Sequence, residues 1–206
     1  MIARSQIFRN VLSKEEIQLI LDFYTDKHDA KTEQWVINKN LEYHIPEDFS
    51  YQLLNSKLTA ILGEHEFATG AYKECLRPYP LHVDAYDAHV ELGTVEQFAT
   101  VKKHNRAMLI PLVEGHPFKT VTFKCYAKKN DFRPAPADWL VDTNELNPNE
   151  YTHCKFDIDL IKHLPVDTEY SWQLGDILTW DRDQLHISAD FAKHGLVKKF
   201  LIMFIA

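Results

Sequence analysis

The sequence predicts an α+β, mainly β fold, with helices first and an antiparallel sandwich or barrel after them. Three observations carry this. Helical hydrophobic spacing is confined to the first third of the chain. From about residue 70, short runs rich in β-branched and aromatic residues alternate with turn residues. No helix-length segment separates those runs regularly, which argues against a doubly wound parallel sheet.

The elements follow in order. Ser13-Lys14-Glu15-Glu16 is a capping box: the Ser13 hydroxyl accepts from the backbone N–H near Glu16, and Glu16 reaches back. Ile17, Ile20, Leu21 and Tyr24 then recur at helical spacing. A second helix is expected from about Ser50 to Leu62, with Leu54, Leu58, Ile61 and Leu62 on one face and Gly63 as a left-handed cap. Both helices are expected to pack outside a sheet. Strands are read near 72–77, 82–92, 107–113, 118–127, 174–180 and 196–205. The last is almost wholly apolar after its lysines, so it should be central and covered on both faces. Residues 128–153, with Pro134, Pro136 and Pro148 among charged and amide residues, read as a long loop or insertion. The whole is expected to be one domain over 1–206, with 1–69 a mainly helical flank and 70–206 the β core.

Composition narrows the function classes. With 206 residues, 45% of them hydrophobic and 26% charged, the chain can bury a sizeable core. Its six glycines form no G-x-G-x-x-G or G-x-x-x-x-G-K-[ST] loop. A net charge of −7 disfavours a nucleic-acid grip, which needs a basic face. Cys75, Cys125 and Cys154 make no C-x-x-C pair, so a reducing compartment is the simpler reading. MIARSQIF lacks the apolar run of a signal peptide. The longest apolar run, Phe200 to Ala206, falls far short of the ~20 residues of a membrane span. A soluble, cytoplasmic protein with no membrane partner is expected.

The chemistry-bearing residues are histidines and carboxylates. Eleven histidines are present, and His82-Val83-Asp84 and His89-Val90-Glu91 each pair an imidazole with a carboxylate at i, i+2. On a strand those positions share a face. Sixteen aspartates with eleven histidines yield roughly one H-x-D triplet in random order, so context must decide. His82 and Asp84 follow Arg77-Pro78-Tyr79-Pro80, and His186 follows the turn and strand Gly175–Trp180. Two imidazoles and one carboxylate make a facial triad with open positions, suited to non-haem Fe(II). The alternative pair, His89 and Glu91, lies in the opposite register. Lys198 and Lys199 lead into the final apolar strand, where a lysine needs an anionic partner.

The order H-V-D (82–84), G-D-I-L-T-W-D-R-D-Q-L-H (175–186) and K-K-F-L-I-M-F (198–204) resembles the Fe(II)/2-oxoglutarate-dependent oxygenase superfamily. The resemblance covers roughly residues 70–206. It implies a double-stranded β-helix, a jelly-roll or cupin-like barrel with flanking helices. It implies His82, Asp84 and His186 as iron ligands and a basic residue, Lys198 or Lys199, on the distal carboxylate of 2-oxoglutarate. Lys199 is favoured if Lys199, Leu201, Met203 and Ile205 line the lumen, a register that a one-residue slip reverses. Tyr72 or Thr122 is a further candidate donor to 2-oxoglutarate. Arg106, Arg133 and Trp139 are candidate substrate contacts, Trp180 is expected in the core, and Asp181 and Asp183 are candidates to orient His186. The implied activity is hydroxylation, driven by dioxygen and 2-oxoglutarate, of a small metabolite or a residue on a macromolecule. Asp84 disfavours halogenation, because related halogenases omit that carboxylate. Two alternatives stand beside it: a cupin-like metalloenzyme without 2-oxoglutarate, and a non-catalytic jelly-roll binding module.

Overall fold

A computed structural model describes residues 5–29, 41–44, 49–84, 106–128, 131–134, 146–153 and 158–205. In chain order the elements are β1 (Gln6–Phe8), α1 (Lys14–Asp29), β2 (Leu41–His44), α2 (Phe49–Leu62), β3 (Phe67–Cys75), β4 (Arg106–Pro111), β5 (Lys119–Lys128), β6 (Asp131–Pro134), α3 (Ile158–His163), β7 (Val166–Ser171), β8 (Ile177–Asp181), β9 (Gln184–Ser188) and β10 (Lys198–Ile205). Single 3₁₀ turns lie at Pro148–Glu150 and Ala192–His194.

The first helix begins where its cap chemistry sets it. Glu16 N–H donates to Ser13 Oγ at 3.2 Å, and Ser13 N–H donates to the Glu16 carboxylate at 2.8 Å. The second helix ends at Gly63, whose φ of +79° suits a residue without Cβ.

Six strands form one sheet in the order β1-β8-β4-β10-β3-β2, with antiparallel pairing throughout. A second sheet runs β6-β5-β7, with β9 also paired to β5. β10 lies between β3 and β4 and is covered on both faces, as its apolar run requires. Its odd-numbered residues Leu201, Met203 and Ile205 pack with Ile17, Ile20, Tyr24, Leu54 and Leu58 of the helices. Its even-numbered residues Phe200 and Ile202 pack with Trp172, Trp180 and Phe118 on the other face. A third cluster, including Val121, Phe123, Leu185 and Ile187, covers the far side of the smaller sheet.

Several expectations are corrected. The strand expected over 82–92 contributes one antiparallel bridge, His82 to His186, and residues 85–105 lie outside the described ones. The mainly β class with flanking helices holds, and among the described residues the strands form two sheets that are not closed on one another. His186, expected at the turn after the Gly175–Trp180 strand, sits within strand β9. β1, β2, β6, β7 and β9 were not anticipated. Strands of three to six residues carry too few side chains for alternation to show. The insertion expected over 128–153 includes strand β6, and residues 135–145 lie outside the described ones.

Candidate metal centre

One cavity of about 80 Å³ opens from the space between the sheets. β10 contributes Lys198, Phe200, Ile202 and Phe204, and β9 contributes His186 and Ser188. His82 and Asp84 close it from the segment after β3, beside Tyr79. Trp180 of β8, Leu109 of β4, Thr120 of β5 and Lys73 of β3 complete the wall.

His82, Asp84 and His186 offer ligand atoms that all lie within 4.8 Å of one another. The backbone brings the histidines together. His82 N–H donates to the His186 carbonyl at 3.0 Å, and His186 N–H donates back at 2.9 Å. Their rings stand 4.1 Å apart. Each Nδ1 faces the carbonyl two residues upstream, Pro80 at 2.7 Å and Gln184 at 3.0 Å. A carbonyl only accepts, so each Nδ1 donates and it is Nε2 that each ring presents as a ligand atom. Those Nε2 atoms face the Asp84 carboxylate: His186 lies 3.5 Å from Oδ2 and His82 lies 3.9 Å from Oδ1. Burial, reinforced by the neighbouring His186, holds the His82 pKa well below the usual imidazole range, although Asp84 opposes the shift. His82 is therefore neutral at pH 7, the state a metal requires. Two imidazoles and one carboxylate around one point are a donor set for a divalent transition metal.

The other end of the cavity carries a buried lysine. Lys198, 2% exposed, donates to Ser188 Oγ at 2.7 Å. Its ammonium lies 4.3 Å from the Trp172 ring centre and 4.9 Å from that of Phe200. Trp172 in turn donates its indole N–H to Thr120 Oγ1 at 2.9 Å. Thr120 and Ser188 are register partners across β5 and β9, and both line the cavity with Lys198. Burial pushes the Lys198 pKa down to about 8, with Cys75 acting in the opposite direction.

The remaining candidates fall elsewhere. Lys199 lies on the opposite face of β10, in an ion pair with Glu74 at 3.0 Å. Tyr72 also faces away from the cavity. It stacks on Tyr24 at 4.3 Å and donates its hydroxyl to that same Glu74. The lumen register expected for Lys199, Leu201, Met203 and Ile205 is thus one residue out, and a one-residue slip exchanges the faces of a strand. Thr122 pairs with His186 in register, but its hydroxyl sits 2.7 Å from Ser5 Oγ, and Thr120 lines the cavity instead. Arg106 donates to Thr179 Oγ1 at 2.6 Å and does not line the cavity. Asp181 accepts from Asp183 N–H at 3.0 Å within the β8–β9 turn, and the Nδ1 of His186 is held by Gln184 instead. Arg133 belongs to β6, but its side chain lies outside the described residues, as do Trp139, His89 and Glu91 altogether.

Ser188, Thr120 and the indole of Trp180 were not singled out as site residues. Ser188 was within reach of sequence reasoning, because it lies two positions after His186 and so shares its strand face. Thr120 and Trp180 carry no such local signal.

Neither a protein-family model nor a curated protein matches the sequence. Solved structures do match, over 98% of the chain. They include a prolyl-4-hydroxylase from Pseudomonas putida, at 8% identity over 91% of that chain with a TM-score of 0.53. Another is an oxidoreductase of the 2OG-Fe(II) oxygenase family from Burkholderia pseudomallei, at 10% identity over 84% of that chain and 0.53. A third is SnoK, a non-heme alpha ketoglutarate dependent carbocyclase from nogalamycin biosynthesis, at 11% identity over 79% of that chain and 0.58. This likeness establishes the fold: the chain is folded as these oxygenases are.

Proposed function

We propose that this protein is a non-haem Fe(II) oxygenase that uses 2-oxoglutarate and dioxygen to hydroxylate a small metabolite or a residue on a macromolecule. The observation that carries the reading is one cavity holding both a His-Asp-His cluster and a buried ammonium bonded to the Ser188 hydroxyl. His82, Asp84 and His186 would hold the iron, and Lys198, with Ser188 and Thr120, would take the distal carboxylate of 2-oxoglutarate. A structural neighbour, SnoN, has been crystallised with Fe3+ and alpha ketoglutarate, which supports this pairing of ligands.

When bound, the iron would supply the Lewis acidity and redox chemistry by which such enzymes activate dioxygen. The chain's own part is positional. Pro80 and Gln184 carbonyls orient the imidazoles. Lys198 gives the dicarboxylate a point charge, without the two-pronged grip of arginine. A carboxylate there would offset the cost of burying that ammonium. Phe200, Ile202, Phe204 and Leu109 restrict water around the site.

Among the described residues no helix is long and apolar enough to cross a membrane. Cys75 and Cys125 are buried and form no disulfide, in keeping with the proposed reducing, cytoplasmic setting.

Anaerobic addition of Fe(II) and 2-oxoglutarate should produce a visible metal-to-ligand charge-transfer band. His186→Ala should abolish it, and Lys198→Met should raise the 2-oxoglutarate concentration it requires. Absence of the band, with metal binding unchanged in His82→Ala, overturns the proposal.

A further inference from the structure

We infer that Trp180 fixes how Asp84 presents itself to the metal: the indole N–H occupies Oδ2, leaving Oδ1 alone to coordinate. The inference rests on the proposed metal site. Trp180 Nε1 lies 3.0 Å from Asp84 Oδ2. An indole nitrogen can only donate, so this bond has one direction. The ring is 1% exposed and sits 4.8 Å from that of His186, on a strand paired with both β1 and β4. Its position is therefore set by the sheet and not by the loop that carries Asp84. Arg182 of the β8–β9 turn adds a second tie, from Nη2 to the backbone carbonyl of Asp84 at 3.4 Å.

Denticity decides what the site can hold. Two imidazoles and a single carboxylate oxygen fill three positions of an octahedral ion and leave three open. A carboxylate that bound through both oxygens would take one of those three, and a two-point cosubstrate and dioxygen need them all. Trp180 is thus a positioning residue, acting through Asp84 and touching neither metal nor cosubstrate. Two consecutive strands in different sheets, β8 and β9, carry His186 and orient the other two ligands: His82 through paired backbone bonds, Asp84 through Trp180.

The test uses Mn(II) alone, on metal-free protein. Trp180 is replaced by 3-benzothienylalanine, which keeps the ring volume and exchanges N–H for sulfur, and separately by Trp180→Phe. Mn(II) affinity is read by electron paramagnetic resonance, and bound waters are counted by line broadening in ¹⁷O-enriched water. The wild type should bind one ion that keeps three waters. Both variants should bind about 10–100-fold more weakly and keep fewer waters. If Trp180→Phe does not fold, the isosteric variant carries the test. Unchanged affinity and water number in a folded variant overturn the inference and leave the metal site standing. Weaker affinity with an unchanged water number also overturns it, since that reports loosened packing only. A wild type that takes up no Mn(II) removes the metal site and this inference together.

Discussion

His82 and His186, from opposite ends of the β-rich region, are reciprocal backbone partners at 3.0 and 2.9 Å, with their rings 4.1 Å apart. Both imidazoles point Nε2 toward Asp84, and burial together with the neighbouring His186 holds the His82 pKa well below the usual imidazole range. That arrangement is ready for a cation at neutral pH.

His186→Ala should abolish metal-dependent stabilisation. At Mn(II) a hundredfold above its Kd, the wild type gains about 2.7 kcal/mol by mass action. The variant should gain nothing in the same thermal melt. Equal shifts in the two proteins would place the ion elsewhere.

Lys198→Met should stabilise the ligand-free protein while weakening 2-oxoglutarate binding. Burial, partly opposed by Cys75, brings this pKa from 10.5 to about 8. Between those values the unfolded chain holds a proton that the folded chain has lost. Stability contributed by this group is therefore flat below pH 8 and rises from there to 10.5, by roughly 3 kcal/mol in full. Urea unfolding at pH 7.5 and 9.5 should show the variant's advantage shrinking as the pH rises.

Lys199→Met should leave 2-oxoglutarate affinity unchanged and shift stability by about 1 kcal/mol or less, as for other partly exposed ion pairs. Its ammonium is paired with Glu74 on the far face of β10. Isothermal titration with 2-oxoglutarate in the presence of Mn(II) separates it from Lys198→Met. Identical losses in the two variants would reverse the register assignment.

Gly175→Ala should destabilise the protein by about 2 kcal/mol or more. Its φ is +86°, and an added Cβ would lie 2.3 Å from the Leu12 carbonyl oxygen. The Gly175 carbonyl also accepts from Val11 and Leu12 N–H, tying the start of α1 to the β7–β8 turn. Chemical denaturation checks this, and a loss below 0.5 kcal/mol contradicts it.

Local patterns revealed much of the scaffold. The capping box at Ser13, the cap at Gly63 and the apolar run of β10 each depend on neighbours within a few residues. Backbone chemistry at that range is written directly in sequence. The side chains of His82, Asp84 and His186 were named from spacing and resemblance, and they do meet at one point. The choice between Lys198 and Lys199 could not be made in the same way. Both open the same strand, and two-residue periodicity leaves two equivalent phases until one face acquires a partner.

Residue types and their order were enough to indicate a helix-flanked β domain and a His-Asp-His set with a lysine downstream. Packing alone chose the face of β10 that carries Lys198 into the cavity. It turned Tyr72 and Lys199 together onto Glu74, placed Ser188 beside the ammonium with Thr120 opposite it, and laid Trp180 against Asp84. The physical reason is range. A cap or a strand phase is settled over a few bonds, whereas these contacts join segments whose proximity exists only once both sheets and the helices have buried their apolar faces.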